Sequence, residues 1–146
     1  MHAWQVTDVK ELAVVAADIL TTLDPAETAY ILALHGDLGA GKTTFTQQLA
    51  AQLGVTEVVT SPTFVVMKQY PLTTQMFDTL VHIDAYRIEE VDEMRVLGFG
   101  DLVNTPRTLV CIEWAERIKE LLPPQTIHLH FSITETGRLI NRTDHG

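Results

Sequence analysis

Eight residues in the first third of the chain have the spacing of a phosphate-binding loop. They read GDLGAGKT, from Gly36 to Thr43. Glycines allow backbone N–H groups to turn inward around phosphate oxygens, and the lysine reaches the outer phosphates as a mobile charge. The threonine hydroxyl is a ligand type that Mg²⁺ accepts, and the next hydroxyl can bond an inner phosphate. The predicted nucleotide-binding residues are Gly36, Asp37, Leu38, Gly39, Ala40, Gly41, Lys42, Thr43 and Thr44.

A phosphate-binding loop also needs an acid that organises the metal, usually at the end of a buried strand. Asp84 ends the run LVHID, and Glu113 ends the run LVCIE. The second run is continuously apolar, as in a strand covered on both faces, whereas His82 and Arg87 indicate that the first lies nearer the surface. We therefore place Glu113 with Thr43 as a Mg²⁺ ligand and keep Asp84 as a second carboxylate that orders water.

The stretch SPTF, residues 61–64, follows the expected helix of the phosphate loop. Pro62 stiffens the backbone before Thr63. Loops in this position respond to the γ-phosphate by offering a hydroxyl or carbonyl near the metal. Thr63 is therefore a candidate switch residue, although a plain loop explains the stretch equally well.

The elements around these residues alternate between strands and helices. An apolar run, AYILALHG, precedes the loop, and residues 42–53 have helical spacing. EEVDEMRVLG predicts a short acidic helix that ends at Gly98, and ERIKELL predicts a helix stopped by Pro123. The pattern favours an α/β, P-loop NTPase-like three-layer fold, with a mixed, mostly parallel central sheet and a terminal antiparallel hairpin, as one domain over residues 1–146.

Composition narrows the function classes. A net charge of −9 disfavours direct, unaided binding of tRNA or DNA. No run of eighteen apolar residues is present, so we expect no membrane span, and the N-terminus lacks the basic region of a signal peptide, which favours a cytoplasmic location. Cys111, the one cysteine, is expected to be a small buried hydrophobe. His128 and His130 share a strand face, but without a third ligand nearby in sequence we favour hydrogen-bonded or solvated histidines over a metal site.

Four blocks occur in order at compatible spacing: GDLGAGKTTF, SPTF, HIDAYR followed by E…LG, and IEWAER. Together they resemble the TsaE family, small P-loop ATPases of bacterial tRNA threonylcarbamoyladenosine synthesis, over about residues 5 to 140. The resemblance implies binding of ATP or ADP with Mg²⁺ and work with a TsaB–TsaD-type heterodimer. That pair forms N6-threonylcarbamoyladenosine at position 37 of tRNAs that read codons starting with A. ATP hydrolysis would reset the complex between rounds, and tRNA would be contacted only indirectly.

The resemblance also implies residue roles. Residues 36 to 44, including Lys42, would hold the phosphates, and Thr43 and Glu113 would hold Mg²⁺. Asp84 would be the acid needed for hydrolysis, and Thr63 the switch-like threonine. Arg138, after Gly137, would contact the nucleotide, and the segment from Thr7 to Val9 would lie by the adenine.

Two other functions remain open from the residues alone. A small-molecule or nucleoside kinase would need a lid with several cations, yet EEVDE is acidic and Arg95 is the one cation of its helix. A nucleotide-dependent binding switch with negligible turnover needs the same loop but no hydrolysis. Asp84 and Glu113 favour hydrolysis over such a switch.

Overall fold

A seven-stranded sheet forms the centre of the computed structural model, which describes residues 2–37, 39–60, 62 and 65–144. Its strands lie in the order β1-β7-β6-β2-β5-β4-β3. The strands are β1 (His2–Val6), β2 (Tyr30–His35), β3 (Met67–Pro71), β4 (Thr79–Asp84), β5 (Thr108–Glu113), β6 (Ile127–Ile133) and β7 (Arg138–Thr143). The helices are α1 (Val9–Thr21), α2 (Lys42–Gln52), α3 (Val91–Val96), α4 (Phe99–Val103) and a 3₁₀ helix (Ala115–Leu121).

Four neighbouring strands in the middle of the sheet, β6, β2, β5 and β4, run parallel. Antiparallel strands flank them: β3 pairs with β4, and β7 pairs with both β6 and β1. The mixed sheet and the β6–β7 hairpin confirm the predicted arrangement. Because parallel strands end at one edge of a sheet, the residues that follow β2, β4 and β5 are brought to the same side of the molecule.

Two hydrophobic cores lie on opposite faces of this sheet. Helices α1 and α2 cover one face, where Ile19 and Phe45 pack with Leu32 and Leu129. On the other face, Met94 and Phe99 from α3 and α4 pack with Ile112. This confirms the predicted three-layer fold. None of the helices in the described part of the chain is long and apolar enough to cross a membrane.

Two side-chain contacts hold the start of α1. Asp8 Oδ1 accepts a hydrogen bond from the Glu11 N–H at 2.9 Å, and the Glu11 carboxylate accepts from the Thr7 N–H at 3.1 Å. The first contact satisfies a backbone donor that the first helical turn leaves open, and the second ties the residue before the cap to the helix. The cap fixes the chain where it passes from β1 to α1, which is beside the phosphate loop.

Two short elements differ from the sequence prediction. Helix α4 was not predicted, because Gly98 ends α3 and also begins the next five-residue helix. ERIKELL is helical as expected, but it forms a 3₁₀ helix in which Ile118 has non-helical φ and ψ angles. The segment between the end of β5 and Pro123 is short, so it can form few α-helical hydrogen bonds. The tighter 3₁₀ conformation suits such a short segment.

Candidate nucleotide-binding site

The loop between β2 and α2 has a backbone path that requires glycine. Gly36, Gly39 and Gly41 have φ angles of 145°, 83° and 109°. A Cβ atom added to Gly36 would lie 2.5 Å from the carbonyl oxygen of Phe131 on β6. Side chains at these positions would be strained, so the glycines allow the loop to fold over the start of α2. Of the predicted phosphate-binding residues, Leu38 lies outside the described residues.

Lys42 begins α2 and points its ammonium back across the loop. Its Nζ donates a hydrogen bond to the Gly36 carbonyl at 2.6 Å and lies 4.1 Å from the centre of the Trp114 ring. Trp114 has a φ of 57° directly after Glu113, so the turn at the end of β5 directs the ring toward the lysine. The lysine is 5% exposed, and its charge is held at the mouth of the loop by a carbonyl dipole and an aromatic face.

The structure brings together the two residues that the sequence pairs as metal ligands. Thr43 Oγ1 donates to Glu113 Oε1 at 2.8 Å, across 70 positions of sequence. Thr43 lies in the first turn of α2, and Glu113 is the last residue of β5. Glu113 is 4% exposed, so its carboxylate faces the loop from inside the protein.

The second oxygen of Glu113 contacts a histidine that the sequence analysis did not assign to the site. His82 Nε2 lies 2.6 Å from Glu113 Oε2, and the residue is fully buried. The expectation that the strand of Asp84 lies near the surface is therefore wrong. Strand β4 is an interior strand between β3 and β5, and polar residues in a strand sequence do not reveal that a further strand covers its edge.

Asp84 lies next to Glu113 at the same edge of the sheet, because the two residues are paired in register on β4 and β5. Its Oδ1 accepts a hydrogen bond from the Tyr86 N–H at 2.9 Å, and it is 3% exposed. The Asp84 N–H donates to the Val66 carbonyl at 2.8 Å, which ties the end of the SPTF loop to this strand. Thr63 itself lies outside the described residues, so its predicted role stays a prediction.

A cavity of about 230 Å³ opens beside the loop. It is lined by residues of the N-terminal segment, the phosphate loop and the turn between β6 and β7. Arg138 Nη2 donates to the Gly39 carbonyl at 3.1 Å, and a Cβ added to Gly137 would lie 2.0 Å from the Val6 carbonyl oxygen. The lining residues are Val6, Thr7, Asp8, Val9, Leu12, Gly39, Gly41, Thr44, Gly137 and Arg138.

The chemistry of these groups fits a nucleotide with Mg²⁺. A helix N-terminus, a glycine loop and a lysine suit phosphate oxygens. Thr43 and Glu113 supply hard oxygen ligands, and Mg²⁺ in phosphate sites takes only one or two protein ligands and keeps several waters. The described residues include no group of three or more His, Cys, Asp or Glu side chains arranged to hold a metal on their own.

His128 and His130 belong to a stack whose third member, His35, the sequence analysis did not connect with them. The His35 and His130 ring centres lie 4.8 Å apart, and His35 Nε2 lies 2.8 Å from His128 Nδ1. Burial lowers the pKa of His35, and the other two histidines lower it further, against a smaller opposing effect of Glu116. Burial, followed by His130 and Lys119, also lowers the pKa of His128. The stack matches the preference for hydrogen-bonded histidines.

Comparison with known proteins finds a family whose model matches nearly the whole chain. The family model described as threonylcarbamoyl adenosine biosynthesis protein TsaE matches residues 6–142. The chain belongs to the TsaE family. The match includes the phosphate loop, both carboxylates and the β6–β7 hairpin, so the site lies within the part that this TsaE-family chain shares with its relatives.

Individual TsaE relatives and a solved structure agree with that assignment. The tRNA threonylcarbamoyladenosine biosynthesis protein TsaE of Bacillus subtilis is 36% identical over 86% of this chain and 74% of its own length. The protein of that name from Haemophilus influenzae is 34% identical over 85% of this chain and 75% of its own. The crystal structure of Bacillus subtilis YdiB superposes with a TM-score of 0.75 at 29% identity, covering 99% of this chain and 86% of that one.

Proposed function

We propose that this chain is a Mg²⁺-dependent ATPase that supports a TsaB–TsaD-type heterodimer in forming N6-threonylcarbamoyladenosine at position 37 of tRNAs reading codons that start with A. In this role it binds and hydrolyses ATP, and its partners carry out the threonylcarbamoyl transfer. Membership of a family of tRNA threonylcarbamoyladenosine biosynthesis proteins supports the pathway. We also propose that the protein acts in the cytoplasm, where its partners would modify tRNA.

The contact between Thr43 and Glu113 carries the ATPase part of the proposal. A hydroxyl at the start of the phosphate-loop helix and a buried strand-end carboxylate lie 2.8 Å apart, oxygen to oxygen. In P-loop NTPases, a hydroxyl and an acid placed in this way hold the metal that accompanies the nucleotide. A merely structural strand-to-helix turn does not need a buried acid against its first hydroxyl.

Binding of the triphosphate uses residues that already lie together. Lys42 would exchange its contact with the Gly36 carbonyl for the outer phosphates, and the backbone N–H groups of residues 36 to 44 would surround the inner ones. Thr43 and Glu113 would hold Mg²⁺, which neutralises charge on the phosphate oxygens when bound. The cavity beside Arg138 and the segment from Thr7 to Val9 would take the nucleoside.

Hydrolysis requires a water aligned with the terminal phosphate, and we assign its orientation to Asp84. The Asp84 carboxylate lies beside Glu113 on the adjacent strand, and its Oδ1 is oriented by the Tyr86 N–H. An acceptor held at this edge of the sheet can direct a water without contacting the metal itself. Thr63 would complete the site as the residue that responds to the γ-phosphate.

The charge of the molecule supports an indirect relation to tRNA. With a net charge of −9, the chain is poorly suited to bind the negatively charged phosphate backbone of RNA. A partner that holds the tRNA removes that need. We therefore assign the recognition of tRNA to the TsaB–TsaD-type heterodimer.

The rate of ATP hydrolysis by the purified chain tests the proposal, measured alone and then with a TsaB–TsaD-type pair. We expect slow turnover alone and a large rise with the pair, because the hydrolysis serves the assembly. An assay of phosphoryl transfer to a panel of nucleosides and sugars distinguishes the kinase alternative from the ATPase proposal. Robust transfer to any acceptor would overturn the ATPase proposal in favour of a kinase. Tight nucleotide binding without turnover, even with the pair and tRNA present, would indicate a binding switch.

A further inference from the structure

Glu113 is held at both of its oxygens. Oε1 accepts from Thr43, and Oε2 lies 2.6 Å from His82 Nε2. The Thr43 contact belongs to the predicted site, whereas no predicted role accounts for the His82 contact. Both sides of the pair are almost completely buried, with side-chain exposures of 0% for His82 and 5% for Glu113.

The hydrogen-bond pattern determines which imidazole nitrogen donates. An ionised carboxylate only accepts hydrogen bonds, so the Nε2 of His82 is the donor. In the neutral ring, Nδ1 is then an acceptor, and it has no hydrogen-bond partner among residues 2–37, 39–60, 62 and 65–144. The histidine is thus buried with Nε2 directed at Glu113, while Nδ1 has no partner in the described part of the chain.

An apolar side chain of similar size would fill this position without leaving a polar atom unsatisfied. The neighbours of His82 on the same face, Leu80 and the cross-strand partner Cys111, are both fully buried members of the apolar core. Packing alone therefore does not account for a histidine here. Its distinguishing feature is the bond to Glu113.

We propose that His82 is a positioning residue that orients the Glu113 carboxylate toward Thr43 for Mg²⁺, an inference that rests on the proposed function. The Nε2–H group occupies Oε2 and leaves Oε1 facing the loop. Hydrogen bonds to a ligating carboxylate from a second layer of residues fix its orientation and support metal affinity. His82 acts through Glu113 and has no contact with substrate in this role.

The test uses the extent to which Mg²⁺ strengthens ADP binding, which requires no turnover. The ADP affinity of each variant is measured by calorimetry in excess EDTA and in millimolar Mg²⁺, and the ratio of the two is compared with that of the native chain. His82→Gln and His82→Asn both bury an amide, but only the longer glutamine side chain has its nitrogen at about the reach of Nε2. His82→Met keeps an unbranched side chain without a donor and serves as a second loss-of-contact variant, should the asparagine variant not fold.

We expect the Mg²⁺ enhancement to fall about tenfold or more in His82→Asn and His82→Met, and to be largely kept in His82→Gln. Binding in EDTA should stay within about threefold of native in all three, because the metal-free contacts do not involve Glu113. Cys111→Ala is the matched control, since it alters a buried side chain opposite His82 without removing a bond to Glu113. It should keep the native enhancement.

Four results would overturn the inference. An unchanged Mg²⁺ enhancement in folded His82→Asn or His82→Met would show that Glu113 needs no help from His82. Equal losses with EDTA and with Mg²⁺ would make the role structural, as would an equal loss in Cys111→Ala. If the native chain binds ADP without any Mg²⁺ enhancement, the proposed metal site fails as well, which distinguishes failure of the function from failure of the His82 inference.

Discussion

The ammonium of Lys42 lies across the phosphate loop at the start of α2. It is held by the Gly36 carbonyl and the Trp114 ring, neither of which carries a full charge. We predict that Lys42→Ala lowers ATP and ADP affinity about 100-fold or more, because a charge-assisted contact to phosphate is lost. Calorimetric titration checks this. Lys119→Ala, which removes an exposed lysine from the 3₁₀ helix, should bind normally, and native affinity in Lys42→Ala would refute the phosphate-loop assignment.

Asp84 is predicted to affect turnover far more than binding. Asp84→Asn keeps an oxygen that can accept from the Tyr86 N–H but removes the negative charge that orients water. We expect ADP affinity within about threefold of native and a turnover rate about 100-fold lower, a typical effect of removing such a group. Nucleotide titration and single-turnover hydrolysis separate the two effects. Equal losses in binding and turnover would instead make Asp84 a structural residue.

At the residue scale, the sequence predicts the Thr43–Glu113 pair because both residues end or follow recognisable strands, and parallel strands end at one edge. The same argument does not predict the contact between His82 and Glu113. Its neighbour in space is Glu113, but nothing in the spacing of LVHID shows which strand lies beside it or whether its edge is covered. The third histidine of the stack, His35, is 93 positions from His128 and was missed for the same reason.

The turn before β7 lines the cavity beside the phosphate loop. Gly137 approaches the end of β1 so closely that a Cβ would lie 2.0 Å from the Val6 carbonyl oxygen. We predict that Gly137→Ala lowers the free energy of unfolding by about 2 kcal/mol, because the two strands must separate to admit a methyl group. Chemical denaturation measures the change.

Gly100 provides the control at the level of the element. It lies inside α4, where an added Cβ meets no described atom within 4 Å. Gly100→Ala should therefore be neutral or slightly stabilising, as expected for alanine in a helix. If Gly137→Ala is as stable as Gly100→Ala, the close approach of β1 and the turn does not constrain the fold.

Secondary-structure elements were predicted correctly where the sequence pattern is long or is supported by a second signal. The apolar β2 and β5 and the β6–β7 hairpin formed as expected. Helix α4 and the 3₁₀ conformation of Ala115–Leu121 could not be predicted from the pattern, because five to seven residues contain fewer than two periods of a helix. Tertiary contacts on the sheet face decide the conformation of such short pieces.

The histidine stack makes the stability of the whole molecule depend on pH. The folded-state pKa values of His35 and His128 lie below the ordinary value of 6.5, chiefly through burial. As the pH falls through 6.5, the unfolded chain therefore takes up protons before the folded chain does, and the free energy of unfolding decreases. The contribution is fully present above that pH and is lost progressively toward the folded pKa values. At His35, Glu116 opposes the effect only in part.

Thermal unfolding between pH 8 and pH 5.5 measures this dependence. We predict a falling melting temperature for the native chain and a shallower fall for His35→Gln, which removes the central ring of the stack. His2→Gln, which alters an exposed histidine on β1, should behave like the native chain. A melting temperature that rises toward pH 5.5 would mean that the stack is stabilised by protonation, contrary to the lowered pKa values.

At the scale of the whole molecule, a one-sheet protein with a net charge of −9 is poorly suited to bind RNA directly, and its proposed action is exerted on a partner complex. The central claim is that ATP hydrolysis by this chain lets a TsaB–TsaD-type pair act repeatedly. That claim concerns repeated rounds of tRNA modification, so an assay of nucleotide binding alone does not test it.

The most direct measurement is the number of tRNAs modified per TsaB–TsaD-type heterodimer in a reconstituted reaction with excess tRNA. We predict many rounds per heterodimer with the native chain and ATP, and about one round with Asp84→Asn, which should bind nucleotide without resetting the complex. Many rounds in the absence of the chain, or with Asp84→Asn in its place, would contradict the account.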